Sequence, residues 1–254
     1  MYFCTKIVDT PSVGVYIGWV QNRRRPLCRL IWEDFSMLKT VDLYDLSHSI
    51  AGEYLSGFEY PWQALSGIKE LILTLGSRLG EEYNQVAPHV WVHNTATVFP
   101  TAYLGAPCII GPKTEVRHCA FIRGSALVGE GCVVGNSVEL KNVILFDGVQ
   151  VPHYNYVGDS ILGYKSHMGA GSLTSNVKSD KTLVVVKDGA DQLPTGLKKF
   201  GAMLGDFVEV GCNSVLNPGT VIGRRTNIYP TSCVRGVVPE GSIWKTGGVV
   251  VRKV

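Results

Sequence analysis

A period of six residues runs through the C-terminal part of the chain. From Val92, aliphatic residues recur at Val98, Leu104, Ile110, Val116, Ile122, Val128, Val134 and Leu140 without a break in phase. After a five-residue step the series continues through Leu145, Val151, Val157, Leu162 and Met168, then restarts as Leu204, Val210, Leu216, Ile222, Ile228 and Val234. A fixed period decides architecture before any single motif does, and neither a 3.6-residue nor a two-residue period gives this one. A small residue often follows the aliphatic position, as in "LG", "IG" and "VG". The physical reading is a short strand, a turn and another short strand, with the aliphatic side chain pointing inward onto its counterpart in the next coil. Each coil then buries its face only against its neighbours, and the expected fold class is an all-β solenoid.

The phase breaks between Thr174 and Leu204. Residues 175–203 are too many for a coil turn, so they are expected to leave the solenoid as an external loop. "TLVVVK" within it is a candidate strand or hairpin, and a lid over a binding site is the favoured role. Ahead of the repeat, Pro61 stands at a first helical position, and Trp62, Leu65, Ile68, Leu71, Ile72, Leu75 and Leu79 follow at helical spacing. The expected organisation is an N-terminal α/β extension over residues 1–87 with an amphipathic helix near 61–83. A β-helix over 88–254 follows, with the insertion 175–203 and a tail 241–254. Residues 1–60, with "VGVYIGWV" near their start, are expected to form a small strand-containing cap.

Composition narrows the function classes. A net charge of +3 spread over 254 residues leaves no electrostatic footprint for nucleic acid, and "NRRRP" at 22–26 reads as a solvated loop. The seven cysteines are odd in number and lack CxxC spacing, which points to reduced thiols and a cytoplasmic setting. The apolar N-terminus is broken by Asp, Pro and Ser, so neither a signal peptide nor a membrane span is expected.

The period resembles the hexapeptide repeat of the left-handed parallel β-helix proteins over roughly residues 88–240, three hexapeptides per coil; the left hand comes from that resemblance. About five coils are expected before the insertion and about two after it. Within it, "VELKN", "VPHYNYVGDSILG", "MGAGSLTSN" and "TGLKKFGAMLGD" resemble the acetyltransferase domain of the bifunctional UDP-N-acetylglucosamine pyrophosphorylase/glucosamine-1-phosphate acetyltransferase family, in its archaeal form. The family's glycine-rich nucleotide loop has no counterpart in residues 1–60, so no uridylyltransferase activity is expected.

The resemblance implies an acetyl-CoA-dependent N-acetyltransferase acting on an amino-sugar phosphate or a nucleotide-linked amino sugar. It assigns His153 as general base, a role suited to a side chain that titrates near neutrality; a lone histidine in such a solenoid is otherwise structural or simply exposed. It assigns the Ala170 N–H of Gly169-Ala170-Gly171 to the oxyanion, although the glycines read equally as residues that permit tight stacking. Arg123 and Lys141 would hold the phosphate, Tyr156 and Asn176 the sugar and cofactor, and Ala170, Gly211 and Cys212 would line the acetyl-CoA groove. His167 and Val177 depart from the bacterial pattern, where an asparagine and a tyrosine stand. The family closes into homotrimers with sites between chains.

Two other functions are compatible with a solenoid of this kind. Left-handed β-helices also host zinc-dependent carbonic anhydrases, but His89, His93 and His118 lack the spacing for convergent ligands, and no metal is expected. A non-catalytic sugar-nucleotide-binding or oligomerisation module stays open, because the nucleotidyltransferase half has no counterpart.

Overall fold

The computed structural model describes residues 38–253, and the expected strand-containing cap lies largely outside them. These residues form a parallel β-helix of the left-handed class, with three strand columns that each pair coil to coil. The period of six becomes a coil of 18 residues: Val90 pairs with Cys108 and Cys108 with Ala126. Five coils, counted from Val90, Cys108, Ala126, Val143 and Ser160, precede the insertion; two, from Ala202 and Thr220, follow it, and a partial one starts at Val237. The five-residue steps shorten two coils by one residue, so that Leu140 pairs with Val157 and Val151 with Val134.

The inward stack is the expected series. Ile110, Val116, Ile122, Val128, Val134, Leu140, Leu145, Val151, Val157, Leu162 and Met168 are fully buried, as are Leu204, Leu216, Ile222 and Val234. Each such side chain contributes about 1.5–3 kcal/mol of burial. Thr174 takes the inward place of an aliphatic residue, in register between Val157 and Leu216. The cause is the departing chain, which interrupts the backbone ladder here. The Thr174 hydroxyl accepts the orphaned Gly158 N–H at 2.9 Å, and the Ser160 hydroxyl accepts the Ala202 N–H at 3.0 Å.

The corners need backbone in the left-handed region, which an asparagine, an aspartate or a glycine visits at least cost. One corner runs through Asn142 (φ 56) and Asp159 (φ 48), another through Tyr154 (φ 52), Gly171 (φ 71) and Asn213 (φ 54).

One face is apolar on both sides. Its outward column, Trp91, Ile109, Leu127, Ile144, Ile161, Met203 and Val221, is as buried as the inward one. The N-terminal helical segment and the insertion cover it. The helical stretch expected near 61–83 is shorter and split: a 3₁₀ helix Pro61–Gly67 leads into an α-helix Ile68–Gly76. Its last residue is a glycine because the Trp91 ring occupies the space of a β-carbon there. Further along the same face the Tyr44 hydroxyl donates to the Ile161 carbonyl at 3.3 Å, and the Tyr44 ring lies 5.1 Å from that of Phe146.

The ends of the solenoid differ from the expected boundaries. Tyr83–Ala87 already pairs antiparallel with Val90–His93. At the other end Ser242–Lys245 continues the parallel column beside Asn227–Ile228, and Val249–Arg252 folds back antiparallel on it. Both ends therefore carry an antiparallel strand over an otherwise open sheet edge.

Candidate active site

Two neighbouring corners carry the expected site residues. On the first, His153, Ala170 and Cys212 follow one another in successive coils, about 4.8 Å apart per coil. The Gly171 N–H donates to the His153 carbonyl at 3.0 Å, the Asn213 N–H to the Ala170 carbonyl at 2.8 Å, and the Thr231 N–H to the Cys212 carbonyl at 2.8 Å. His153 is exposed, and its backbone N–H is held by Asn155 Oδ1 at 3.1 Å. Asn155, fully buried, donates in turn to the Gly169 carbonyl at 2.8 Å and the Ser172 carbonyl at 3.1 Å. This clamp ties the histidine's coil to the coil of Ala170, and the sequence reading passed over it. Gly169 and Gly171 have a structural cause: a β-carbon on Gly169 would meet the Cys212 N, and one on Gly171 the Asn213 side chain.

The second corner is built where two long strands, Glu139–Leu145 and Tyr156–Leu162, run from one face onto the next. Lys141 stands in register with Gly158, next to Asp159. The Lys141 ammonium lies 2.8 and 3.0 Å from the two carboxylate oxygens of Asp159, whose side chain is 5% exposed. Asn142 donates to the same carboxylate at 2.9 Å and Asn176 at 2.5 Å. Asn176 also lies 3.1 Å from the Tyr156 hydroxyl. Burial, then the charges of Asp159 and Glu139, push the Tyr156 hydroxyl above the ordinary tyrosine range, so it stays a neutral donor. Gly158 leaves room for this pair, since a β-carbon there would meet the Tyr156 hydroxyl. The expected Lys141, Tyr156 and Asn176 are thus brought together, and the carboxylate that organises them was missed; the signal for it was the Gly-Asp pair at a corner of the repeat.

Arg123 occupies the same column one coil before Lys141, on the exposed surface. It is paired with Glu139 at 2.8 Å, which raises its pKa. Five residues separate His153 from Gly158, so the two corners are no more than about 17 Å apart along the strand.

The insertion leaves at Asn176 and returns at Phe200, whose N–H donates to the Asn176 carbonyl at 2.9 Å. Phe200 is fully buried, its ring 5.8 Å from that of Trp62. The loop forms a hairpin, Val185–Asp188 with Asp191–Pro194. Val184 and Val186 are buried, and Gly219 and Gly236 allow the hairpin backbone to approach the coils after the insertion. The loop therefore covers the apolar face instead of lying over His153, and only its base frames the Asp159 corner.

His167 faces outward elsewhere and pairs with Glu209 at 2.9 Å. Cys108 and Cys132 are buried thiols whose pKa is pushed up to about 12; Cys119, Cys212 and Cys233 are free and exposed. Among the described residues no group of three or more His, Cys, Asp or Glu is arranged to hold a metal ion, and no helix is long and apolar enough to cross a membrane.

Sequence comparison bears on the same region. The family model of the GMPPB C-terminal domain matches residues 107–190. A bifunctional sugar-1-phosphate nucleotidylyltransferase/acetyltransferase of Sulfurisphaera tokodaii is 34% identical over 105 residues, 41% of this chain and 26% of that protein. The bifunctional protein GlmU of Prochlorococcus marinus is 30% identical over 176 residues, 66% of this chain and 30% of that protein. The chain's homologues are bifunctional GlmU proteins. It spans between 26% and 34% of the length of these relatives. Among solved structures, a hexapeptide transferase family protein from Anaplasma phagocytophilum superposes with a TM-score of 0.36 at 15% identity, covering 64% of this chain and 78% of that one.

Proposed function

We propose that this chain is an acetyl-CoA-dependent N-acetyltransferase whose acceptor is the amino group of an amino-sugar phosphate, such as glucosamine-1-phosphate, or of a nucleotide-linked amino sugar. The observation that carries the reading is the pair of corners: His153, Ala170 and Cys212 stacked on one, and Lys141, Tyr156 and Asn176 gathered on the other. The imidazole of His153 takes the proton as the amine attacks the thioester carbonyl. The Ala170 N–H receives the developing oxyanion. The carbon–sulfur bond then breaks, and the proton passes on to the departing CoA thiolate. Arg123, Lys141, Tyr156 and Asn176 hold the sugar phosphate, and Gly211 and Cys212 border the pantetheine. The exposure of His153 and Arg123 in one chain supports a homotrimer in which a neighbouring copy closes the site.

The test is thiol release from acetyl-CoA in the presence of glucosamine-1-phosphate and a panel of amino-sugar phosphates and nucleotide-linked amino sugars. Release with one acceptor names the substrate, and His153→Ala should lower turnover about a hundredfold or more while CoA binding is retained. One observation favours the second reading, a non-catalytic sugar-nucleotide-binding module: His167, at a position where the bacterial family carries an asparagine, is tied up in a pair with Glu209. Silence across the panel by a folded protein, with binding of a sugar nucleotide, would select it.

A further inference from the structure

We infer that Asp159 is a positioning residue of this site, acting through Lys141 and Asn176; the inference rests on the proposed acyl-transfer reading. Asp159 is 3% exposed and sits in the left-handed region at φ 48. A buried carboxylate is tolerated only when it is paired and hydrogen-bonded, and every partner here is a donor. Lys141 offers its ammonium to both oxygens, Asn142 its amide to one and Asn176 its amide to the other. The same residue's carbonyl accepts the Gly201 N–H at 2.8 Å, where the insertion returns, while Asn176 marks where it leaves. Asn142 also donates to the Leu65 carbonyl at 3.2 Å on the N-terminal helical segment.

One carboxylate therefore sets the position of a cation and an amide that lie in different coils, because its two oxygens accept from both at once. Without it, Lys141 is a mobile side chain on an outer corner, and Asn176 loses the partner that turns it beside the Tyr156 hydroxyl. Asp159 itself does not meet the ligand, being covered by the groups it holds.

Asp159→Asn isolates this role. Asparagine keeps the shape and tolerates the left-handed backbone, but it loses the charge and one of the two acceptor oxygens, and turns an NH2 donor toward groups that themselves donate there. The first measurement needs no substrate: site-resolved acylation of the lysines by an amine-reactive acetylating reagent, read by mass spectrometry. Lys141 should react at least fivefold faster in Asp159→Asn than in the parent protein, with Lys165 and Lys198 unchanged. Asp159→Gly, which also fits the backbone, serves if the asparagine variant does not fold. The second measurement is steady-state kinetics with whichever acceptor supports turnover. Asp159→Asn should raise the acceptor KM at least tenfold with the KM for acetyl-CoA unchanged, and in a Lys141→Ala/Asn176→Ala background Asp159→Asn should add no further loss. A purely structural role would lower the melting temperature, leave the KM values alone and add to the loss of the Lys141→Ala/Asn176→Ala variant. Unchanged Lys141 reactivity, or additive losses, overturns the inference. A parent protein silent with every acceptor removes the acyl-transfer reading and leaves the lysine reactivity to decide on Asp159.

Discussion

Single side chains decide where this repeat departs from its own rule. Thr174 is the one polar residue in an otherwise aliphatic inward series from Ile110 to Val234, and it stands where the chain leaves the solenoid. A valine there would fit the volume and restore the apolar period. It would also strand the buried Gly158 N–H, which Thr174 Oγ1 accepts at 2.9 Å, and remove a contact at 3.2 Å to the Ser160 hydroxyl. Leaving a buried donor unpaired costs about 1–3 kcal/mol. Thr174→Val should therefore destabilise by that amount in urea titration, whereas the same change at Thr97, exposed on the short strand Thr97–Val98, should lie within about 0.5 kcal/mol of zero. An equal or greater stability of Thr174→Val would mean that the aliphatic stack outweighs the ladder repair. The sequence displayed the break in phase but not its cause, because the hydroxyl's partners lie 14 and 16 residues away and become neighbours only once the coil length is known.

At the scale of elements, the period of six located the inward column and missed the outward one. Ile109, Leu127, Ile144 and Ile161 each precede or follow an inward residue, and in a reading tuned to six they pass as neighbours of the repeat. Taken at the coil length they form a column of large apolar residues on one face, a signal that something must cover it. The helical segment and the hairpin are that cover, so the insertion reads as packing along most of its length. Its keystone is Phe200, buried against Trp62 and bonded to Asn176 through its backbone. Phe200→Ala should cost about 3–5 kcal/mol, the usual penalty for emptying an aromatic site. The loss should be local first: limited proteolysis within residues 177–199 should accelerate at temperatures where the circular dichroism of the β-helix is unchanged. Simultaneous loss of both signals would mean that the loop and the coils unfold as one unit. Helix boundaries were harder to read, since the spacing of Trp62 to Leu79 fits a single helix, and neither the change from 3₁₀ to α at Ile68 nor the end at Gly76 leaves a mark in that spacing.

At the scale of the whole described unit, two of the three faces keep an outward column that no element among the described residues covers. On one of them Tyr103 and Phe121 are 61% and 44% exposed, with ring centroids 5.6 Å apart, and the next residues in the column are Glu139 and Tyr156 of the candidate site. An aromatic pair at that exposure, continuous with a half-built site, is what a chain-to-chain contact would bury. The homotrimer proposed above therefore makes a directional prediction. Phe121→Arg places a charge in the contact without touching the inward stack, since its neighbour Ile122 carries the core position. Light scattering should show the mass fall from three chains to one, with β-helix circular dichroism retained. Acyl transfer should fall with it, because the exposed His153 would lose the neighbouring copy that closes its site. Phe121→Leu, which keeps the apolar surface, should preserve both mass and turnover. A monomeric parent protein that turns over acceptor at full rate would remove the shared site and place the whole of the chemistry on the two corners of a single chain. A trimer that survives Phe121→Arg would move the contact to the remaining open face, the one that carries Glu115, Gln150, His167 and Glu209.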